Sequence, residues 1–586
     1  MRAVSAKTGV ESSAAEARRP TRLSAAVFQF KASVLRLNRN IANIARGPRH
    51  LTVASKSSFP HLVARSRTPL WSDLRPAEQV MQSGKVENLR VAARLLDRTR
   101  LAPGDIFSFW RQIGRPIRRR GFVAGRMLQQ GCIVPATGGG LCQLSNALYD
   151  VALKAGCAIV ERHAHSRVVP GSAADHGRDA TVAWNYVDLR FRSTRPLLLR
   201  MQMTADELVV DLYSANRKDA IHDVEKEVPA PAVMIETCGT CGDVSCFRHE
   251  KPAALLRGRT AFLVNEAWPE FTNYVAQQKA PEDALFIPID GKRLGVSRYS
   301  WDTSGFKGVV TAPVSVLRHS LSTRRLGTQG AARRIAELKA AERVAGRFAR
   351  KLTPDVAELY VAQSLLPFLW RDGHLGGRHF CVLMTALPMH EIHRRLDAVA
   401  ALHPDRATLS DFRASTELAE LEADALAAAE RIVTPHAEIA KLFGARALRL
   451  PWDVPAADAV KAAPQARHRI AFPGPTVARK GCYEVREAAR LLNLEVVPLG
   501  SELEGSGFWS DIHISHGDHT HWLDDISVVV QPAIVEQAPR RLLAALASGV
   551  PVIATAACGL DPQPGLTIIP AADTDALVAA LRTQLD

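Results

Sequence analysis

From Arg257 to the C-terminus, short continuous apolar runs alternate with helical segments, and no other feature constrains the fold of this chain as much. The first set comprises Thr260–Val264, Ala284–Pro288, Gly308–Thr311, Phe380–Met384 and Arg431–Thr434, with helix-rich stretches at 330–352 and 414–430. After Pro451-Trp452 a second set follows: Arg469–Phe472, Leu494–Pro498, Ile526–Val530, Val550–Ala554 and Leu566–Pro570. Strands without polar alternation need cover on both faces, which a parallel sheet flanked by helices supplies. Two successive doubly wound domains, 257–450 and 451–586, are therefore expected, with ligands at the carboxyl ends of the strands.

The chain before residue 216 has a different texture. Gly138-Gly139-Gly140 runs directly into Leu141-Cys142-Gln143, followed by an apolar stripe at helical spacing (Leu144, Leu148, Val151, Ala155) that stops at Gly156. This puts Cys142 at a helix N-terminus, where backbone N–H groups and the helix dipole stabilise a thiolate. A short strand, Ala158–Val160, then leads to His163 and His165, imidazoles suited to the role of its base. The bland alternative is a small buried cysteine and two ordinary surface histidines.

The length of 586 residues is too great for one core, and 47% hydrophobic with 23% charged residues is an ordinary globular composition. Residues 1–70 hold 13 Lys+Arg against 2 Asp+Glu, a net +11 out of +16 for the whole chain. Within this basic, partly disordered region (1–80), Leu23, Ala26, Val27, Phe30, Val34 and Leu37 share one helical face. The preferred expectation is that this face packs on the next domain; peripheral contact with an anionic membrane is the alternative. The charge comes with no nucleic-acid-binding motif, so no nucleic acid is expected. The start shows no compact apolar signal region and no run approaches the ~20 residues of a membrane span. A cytoplasmic, at most membrane-peripheral, protein is expected.

A linker, 216–256, carries Cys238, Cys241, Cys246 and His249 in the pattern C-x2-C-x4-C-x2-H. Four such ligands close together suit a structural, tetrahedral Zn²⁺; an iron–sulfur cluster on the three thiolates and a Cys238–Cys241 redox disulfide are the alternatives. The loop 515–521, with His516, Asp518, His519 and His521, reads as polar surface before a helix near Trp522.

Several short motifs in order resemble the VanW family over about residues 85–215: Pro103–Phe109, Ile113-Gly114, Arg120–Phe122, Gly138–Gln143, Glu161–His163 with His165-Ser166, and Asp188–Phe191. The family was named from vancomycin-resistance gene clusters, and some members are understood to be cysteine-dependent L,D-transpeptidases acting on peptidoglycan. The resemblance implies an α+β domain (81–215) with Cys142 as nucleophile, His163 or His165 as base, and Asp188 as an orienting carboxylate.

The region 258–586 resembles GT-B glycosyltransferases of the retaining type. The carrying residues are Ala429–Pro435, Phe472-Pro473-Gly474 with Lys480-Gly481, Asp524-Asp525 before the strand ending in Gln531-Pro532, Glu536, and Ala547–Thr555. The resemblance implies a nucleotide-sugar donor. Gly474, Arg479 and Lys480 would lie at its diphosphate and Glu536 near its sugar. An envelope glycan or precursor would be the acceptor. Two positions depart from the pattern: Ala544 replaces the second acid, and Pro475 stands where an arginine is usual. Asn265–Glu270 also replaces the glycine-rich acceptor loop. The whole chain thus reads as a VanW-like domain joined to a glycosyltransferase-like module that transfers sugar to an envelope or surface polysaccharide. The alternatives are a non-catalytic glycan or peptide scaffold, and acyl transfer at Cys142.

Overall fold

A computed structural model describes residues 21–54, 58–71, 78–129, 132–165, 178–219, 245–246, 258–327, 329–457, 468–515 and 521–585. Two compact units divide at Arg257/Gly258. Among the described residues no helix is long and apolar enough to cross a membrane.

The first unit begins with α1 (Arg22–Arg46), whose N-cap Thr21 forms a reciprocal capping box with Ser24. Next come β1 (His61–Pro69), α2 (Gln79–Leu96), β2 (Thr99–Leu101), β3 (Ile106–Ser108), α3 (Phe109–Ile113), β4 (Ala124–Gln129), β5 (Cys132–Thr137) and α4 (Leu141–Lys154). β6 (Ala158–Glu161), β7 (Arg190–Arg192), β8 (Leu197–Met203) and β9 (Glu207–Ser214) complete it. An antiparallel sheet in the order β1-β9-β8-β2, a smaller sheet β3-β7-β6 and the hairpin β4-β5 surround α2 and α4, which share one core with Phe107, Phe109, Phe191 and Leu199. The sequence pattern leaves 61–69 in a loop-rich lead-in, but the structure makes it an edge strand. Arg65 hides its charge in a two-pronged pair with Asp211 on β9 (2.7 Å each), so the strand lacks a readable apolar alternation.

α1 overturns the expected packing. Leu23, Val27, Phe30, Val34 and Leu37 are all exposed, by 43% to 75%. The helix docks through its polar face instead: Arg36 Nε donates to the Trp184 carbonyl (2.8 Å), Arg39 pairs with Glu161, and Arg190 donates to Asn43 (2.9 Å).

The second unit is two doubly wound parallel sheets in succession, as the GT-B resemblance implies. The first contains β10 (Arg259–Leu263), α5 (Pro269–Gln278), β11 (Ala284–Ile287), α6 (Gly291–Leu294), β12 (Gly308–Thr311), α7 (Pro313–Thr323), α8 (Ala331–Ala349), β13 (Val356–Ala362) and α9 (Leu366–Arg371). It continues with β14 (His379–Leu383), α10 (Met389–Leu402), α11 (Thr416–Ala428), β15 (Arg431–Thr434), α12 (Ala437–Phe443) and β16 (Ala447–Arg449). The strand order is β12-β11-β10-β13-β14-β15-β16, all parallel. The second contains β17 (Arg469–Phe472), α13 (Cys482–Leu492), β18 (Glu495–Pro498), β19 (His513–Ile514), β20 (Val528–Gln531), α14 (Arg540–Ala547), β21 (Val552–Thr555), β22 (Leu566–Ile569) and α15 (Thr574–Leu585). Its order is β19-β18-β17-β20-β21-β22. Residues 522–525 are a turn rather than the expected helix.

The two sheets are tied by a buried carboxylate. Glu270 on α5 accepts both guanidinium arms of Arg540 on α14 (2.7 and 2.6 Å) and the Asp453 N–H (2.8 Å). The same guanidinium lies over Trp268 and Trp452, 5.1 and 5.5 Å from the ring centroids. Removing charge from a buried, fully subscribed acceptor is costly. Glu270→Gln is expected to cost about 1–3 kcal/mol, read as an earlier urea midpoint of the tryptophan fluorescence transition.

Candidate functional site

In the first unit the site grows from the glycine turn before α4. Gly140 caps the helix at φ +96°, and a Cβ there would fall 2.2 Å from the Lys85 side chain. Gly139 lies so close to β4 that a Cβ would meet the Gly125 carbonyl at 2.2 Å. Asn88 on α2 fixes this approach, donating to the Val123 and Gly139 carbonyls (3.0 and 2.9 Å) and accepting the Val123 N–H (2.9 Å). The turn therefore starts α4 at one position, with Cys142 in its first turn. Helices leave their first N–H groups without intrahelical acceptors, so this end offers donors to an oxyanion.

Two further segments converge on Cys142. Residues 179–182 are held along α4, with Ala180 N donating to Asn146 Oδ1 (2.8 Å) and Ser145 Oγ donating to the Ala180 carbonyl (2.5 Å). The Cys142 thiol lies 3.7 Å from Thr181 Oγ1 and 3.9 Å from the Val182 carbonyl. The segment leaving β6 is laced to this strip, Thr181 N donating to the His163 carbonyl (2.8 Å), and carries His165. Asp179 accepts both the backbone N–H and ring Nδ1 of His165, at 2.5 Å each. Nε2 is thus the ring nitrogen left for Cys142.

The electrostatics follow from that line of groups. The Asp179 hydrogen bond, then the Cys142 interaction, raise the His165 pKa to about 10 against the opposing effect of burial. Burial pushes the Cys142 thiol up, but the His165 hydrogen bond and charge, with Val182 and Thr181, bring it below its ordinary value. Burial likewise pushes Asp179 up, and its bonds to His165 leave it lowered overall. A thiol beside an imidazole that a carboxylate orients is an arrangement cysteine acyl-transfer chemistry can use.

Of the two expected imidazoles, the structure brings His165 to Cys142. His163 is exposed and faces Glu161 Oε1 at 3.3 Å. Asp188 is elsewhere, 1% exposed, accepting from Ser108 Oγ (2.6 Å), Trp110 N (3.1 Å) and Arg190 Nε (2.8 Å); it joins α3 to β7. The carboxylate at His165 is Asp179, which the sequence reading missed. It stands in a polar stretch without periodicity, and only its place just beyond the histidines hinted at it.

In the second unit, Lys480, Arg479 and Glu536 meet on the segments that follow the paired parallel strands β17 and β20. Glu536 Oε2 accepts Lys480 Nζ (2.7 Å) and Gln531 Nε2, while Oε1 accepts the N–H groups of Gln537 and Ala538 (2.8 and 3.0 Å). Burial acts to raise the Glu536 pKa, but Lys480 and these donors hold it near 2. Burial lowers Lys480, with Glu536 opposing. Arg479 donates to Gln329 (2.6 Å) and lies over Phe412 (4.6 Å), opposite Arg334 at the same distance. Gly474 packs against Lys480, and Arg541, on the helix that carries Ala544, donates to the Pro473 carbonyl (2.7 Å) next to it. A cavity of about 370 Å³ opens at the ends of β10, β13 and β14, lined by Asn265, Trp268, His319, Arg334, Gln363 and Glu422 among others. Burial raises the Glu422 pKa to about 7.

Cys238, Cys241 and His249 lie outside the described residues, as do His516, Asp518 and His519. Cys246 is a free, half-buried cysteine. Among the described residues no group of three or more His, Cys, Asp or Glu side chains is placed to hold a metal ion.

Residues 84–213 match the sequence profile of the family described as VanW like protein. Two relatives are similar over part of the chain. The uncharacterized protein YoaR of Bacillus subtilis (strain 168) is 28% identical over 190 residues, covering 31% of this chain and 61% of the relative. The vancomycin B-type resistance protein VanW of Enterococcus faecalis (strain ATCC 700802 / V583) is 27% identical over 180 residues, covering 30% and 64%. The chain thus spans about three-fifths of the length of these relatives. Among solved structures, sucrose-phosphate synthase from Thermosynechococcus elongatus is 14% identical, covering 56% of this chain and 90% of that one, with a TM-score of 0.34. WaaG, a glycosyltransferase involved in lipopolysaccharide biosynthesis, gives 14%, 56%, 90% and 0.33. Anabaena HepE in complex with UDP and glucose gives 10%, 56%, 89% and 0.31.

The Cys142 geometry makes its reactivity measurable without a substrate. At pH 6, iodoacetamide should label Cys142 about tenfold faster in the native chain than in His165→Ala, with His163→Ala and Asp188→Asn close to native, as read by peptide mass spectrometry. Because His165 is raised and Asp179 lowered on folding, their pairing stabilises most between about pH 4 and 6.5 and fades as pH rises through about 10. The melting-temperature gap between the native chain and Asp179→Asn should follow that profile.

Proposed function

We propose that the VanW-like domain is a cysteine-dependent acyltransferase acting on a peptide of the cell envelope, in the manner of an L,D-transpeptidase. The observation that carries this reading is His165, clamped by Asp179, with its charge acting on the Cys142 thiol at the start of α4. The Cys142 thiolate would add to the donor carbonyl carbon, with the first-turn N–H groups of α4 receiving the oxyanion. His165 would give its proton to the departing amine as the C–N bond breaks, leaving a thioester. An acceptor amine, losing its proton to His165, would then attack that thioester and release Cys142. Net, one amide is exchanged for another, with no external oxidant or metal in the balance.

A second reading concerns the 258–586 unit: sugar transfer from a nucleotide-sugar donor to an envelope glycan acceptor, with retention. Its support is the convergence of Lys480, Arg479 and Glu536 at a strand crossover, where doubly wound sheets bind phosphorylated ligands. Ala544, and a Glu536 whose oxygens are already subscribed, weigh toward a non-catalytic glycan-binding role for the same unit. The cysteine–histidine knuckle is proposed to hold a structural Zn²⁺.

Incubation with a peptidoglycan stem tetrapeptide should add one acyl group to the chain by intact-mass spectrometry, removable by hydroxylamine. Cys142→Ala should abolish the adduct, and Asp179→Asn should slow its formation by about 10²-fold or more. An adduct that persists in Cys142→Ala would overturn the acyl-transfer reading. For the second unit, a UDP-hexose should raise the melting temperature of the native chain but not of Lys480→Ala.

A further inference from the structure

The exposed face of α1 is patterned more strictly than solvent exposure requires. Leu23, Val27, Phe30, Val34, Leu37, Ile41 and Ile44 succeed one another at alternating steps of four and three residues, and each is exposed, between 43% and 87%. That is a 3.5-residue period held along the helix, not the broader 3.6-residue stripe of a helix packing on a globular core. In a heptad frame Val27, Val34 and Ile41 occupy the a positions, and Leu23, Phe30, Leu37 and Ile44 the d positions. Branched-β residues at a with mainly Leu or bulky apolar residues at d are the pattern of parallel two-stranded coiled coils. One large exposed apolar residue of the helix, Leu35, falls outside the seam.

We infer that α1 is the dimerisation element of this chain and pairs in parallel, in register, with α1 of a second copy. The opposite face of the helix is already committed: Ala32 is 2% exposed, and Arg36, Arg39 and Asn43 bind Trp184, Glu161 and Arg190. The seam is therefore the face left over. The flanking e and g positions are Ser24, Ala26, Lys31, Ser33, Asn38 and Asn40, with one charge among them, so two identical helices approach without like-charge repulsion. The same composition disfavours an anionic membrane as the occupant. Arg36 and Arg39, which would have to face lipid headgroups, are turned to the protein instead. The area also fits: seven side chains at these exposures present roughly 700 Å² of apolar surface per copy, near the ~800 Å² per partner of a standard interface. A monomer rarely leaves so large a patch bare.

This inference does not depend on the acyl-transfer reading. The test is sedimentation equilibrium of the full chain alongside Val34→Glu/Leu37→Glu, which alters the seam and none of the docking contacts. The native chain should sediment at twice the chain mass and the double variant at the chain mass, with unchanged circular dichroism. In addition, Val27→Cys should form, under mild oxidation, a disulfide-linked dimer absent from the native chain, because parallel in-register helices bring that position against its own copy. A native monomer at micromolar concentration would overturn the proposal, because it would mean the chain's own residues cover the stripe. A dimer surviving Val34→Glu/Leu37→Glu would also overturn it. So would a monomeric chain that binds phosphatidylglycerol vesicles and loses that binding in the double variant.

Discussion

The first unit depends on a close approach that only glycine permits. Gly139 lies against the backbone of β4, and Gly140 against the aliphatic stem of Lys85, at separations that no side chain would survive. Asn88 uses its whole amide to hold the approach in place, giving two hydrogen bonds and receiving one. The consequence runs along the chain. α4 starts where the turn forces it to start, so the Cys142 sulfur has a fixed origin, and the strip 179–182 docks along the same helix through Ser145 and Asn146. Cys142, His165 and Asp179 come from three segments, but all three are referenced to one helix. That is how a loop-borne histidine acquires a fixed position.

α1 acts on the same assembly from the other side. Glu161, at the end of β6, is shared by Arg39 of α1, His163 and Arg190. The strand that delivers His165 is therefore braced by a helix whose outer face carries an apolar seam.

Much of the architecture is legible in the sequence, for identifiable reasons. The buried strands of the second unit announce themselves because both faces are covered, so their apolar runs are unbroken. β13 escaped because Glu358 interrupts its run at the point where it pairs beside Thr260, although it is a central strand of its sheet. β19 is only two exposed residues long and has no pattern to show. In the site, the glycines and Cys142 were readable because helix-start chemistry is local. Asp179 was not, since its meeting with His165 depends on how the chain returns to α4. The VanW resemblance implied Asp188 as an orienting carboxylate, yet its oxygens are consumed by Ser108, Trp110 and Arg190. Amphipathicity likewise identified α1 as a helix, but could not say which of its faces meets the protein.

The two units also show why a cation beside an anion is not by itself a reactive site. Glu536 accepts four donors, two on each oxygen, which exhausts the acceptor capacity of a carboxylate. Its partner Lys480 is correspondingly spent in holding a buried charge that would otherwise be costly. Such a pair is stable because nothing is left over, and a substrate hydroxyl could enter only by displacing a bond already made. At Cys142 the accounting differs. Asp179 takes Nδ1 and the backbone N–H of His165 but not Nε2, and the sulfur's hydrogen-bond contacts are the long ones to Thr181 and Val182. The sulfur's lone pairs stay available in the first turn of a helix, where the Gln143 N–H already reaches the Gly140 carbonyl (3.2 Å). Unspent valence, more than charge, separates the two sites.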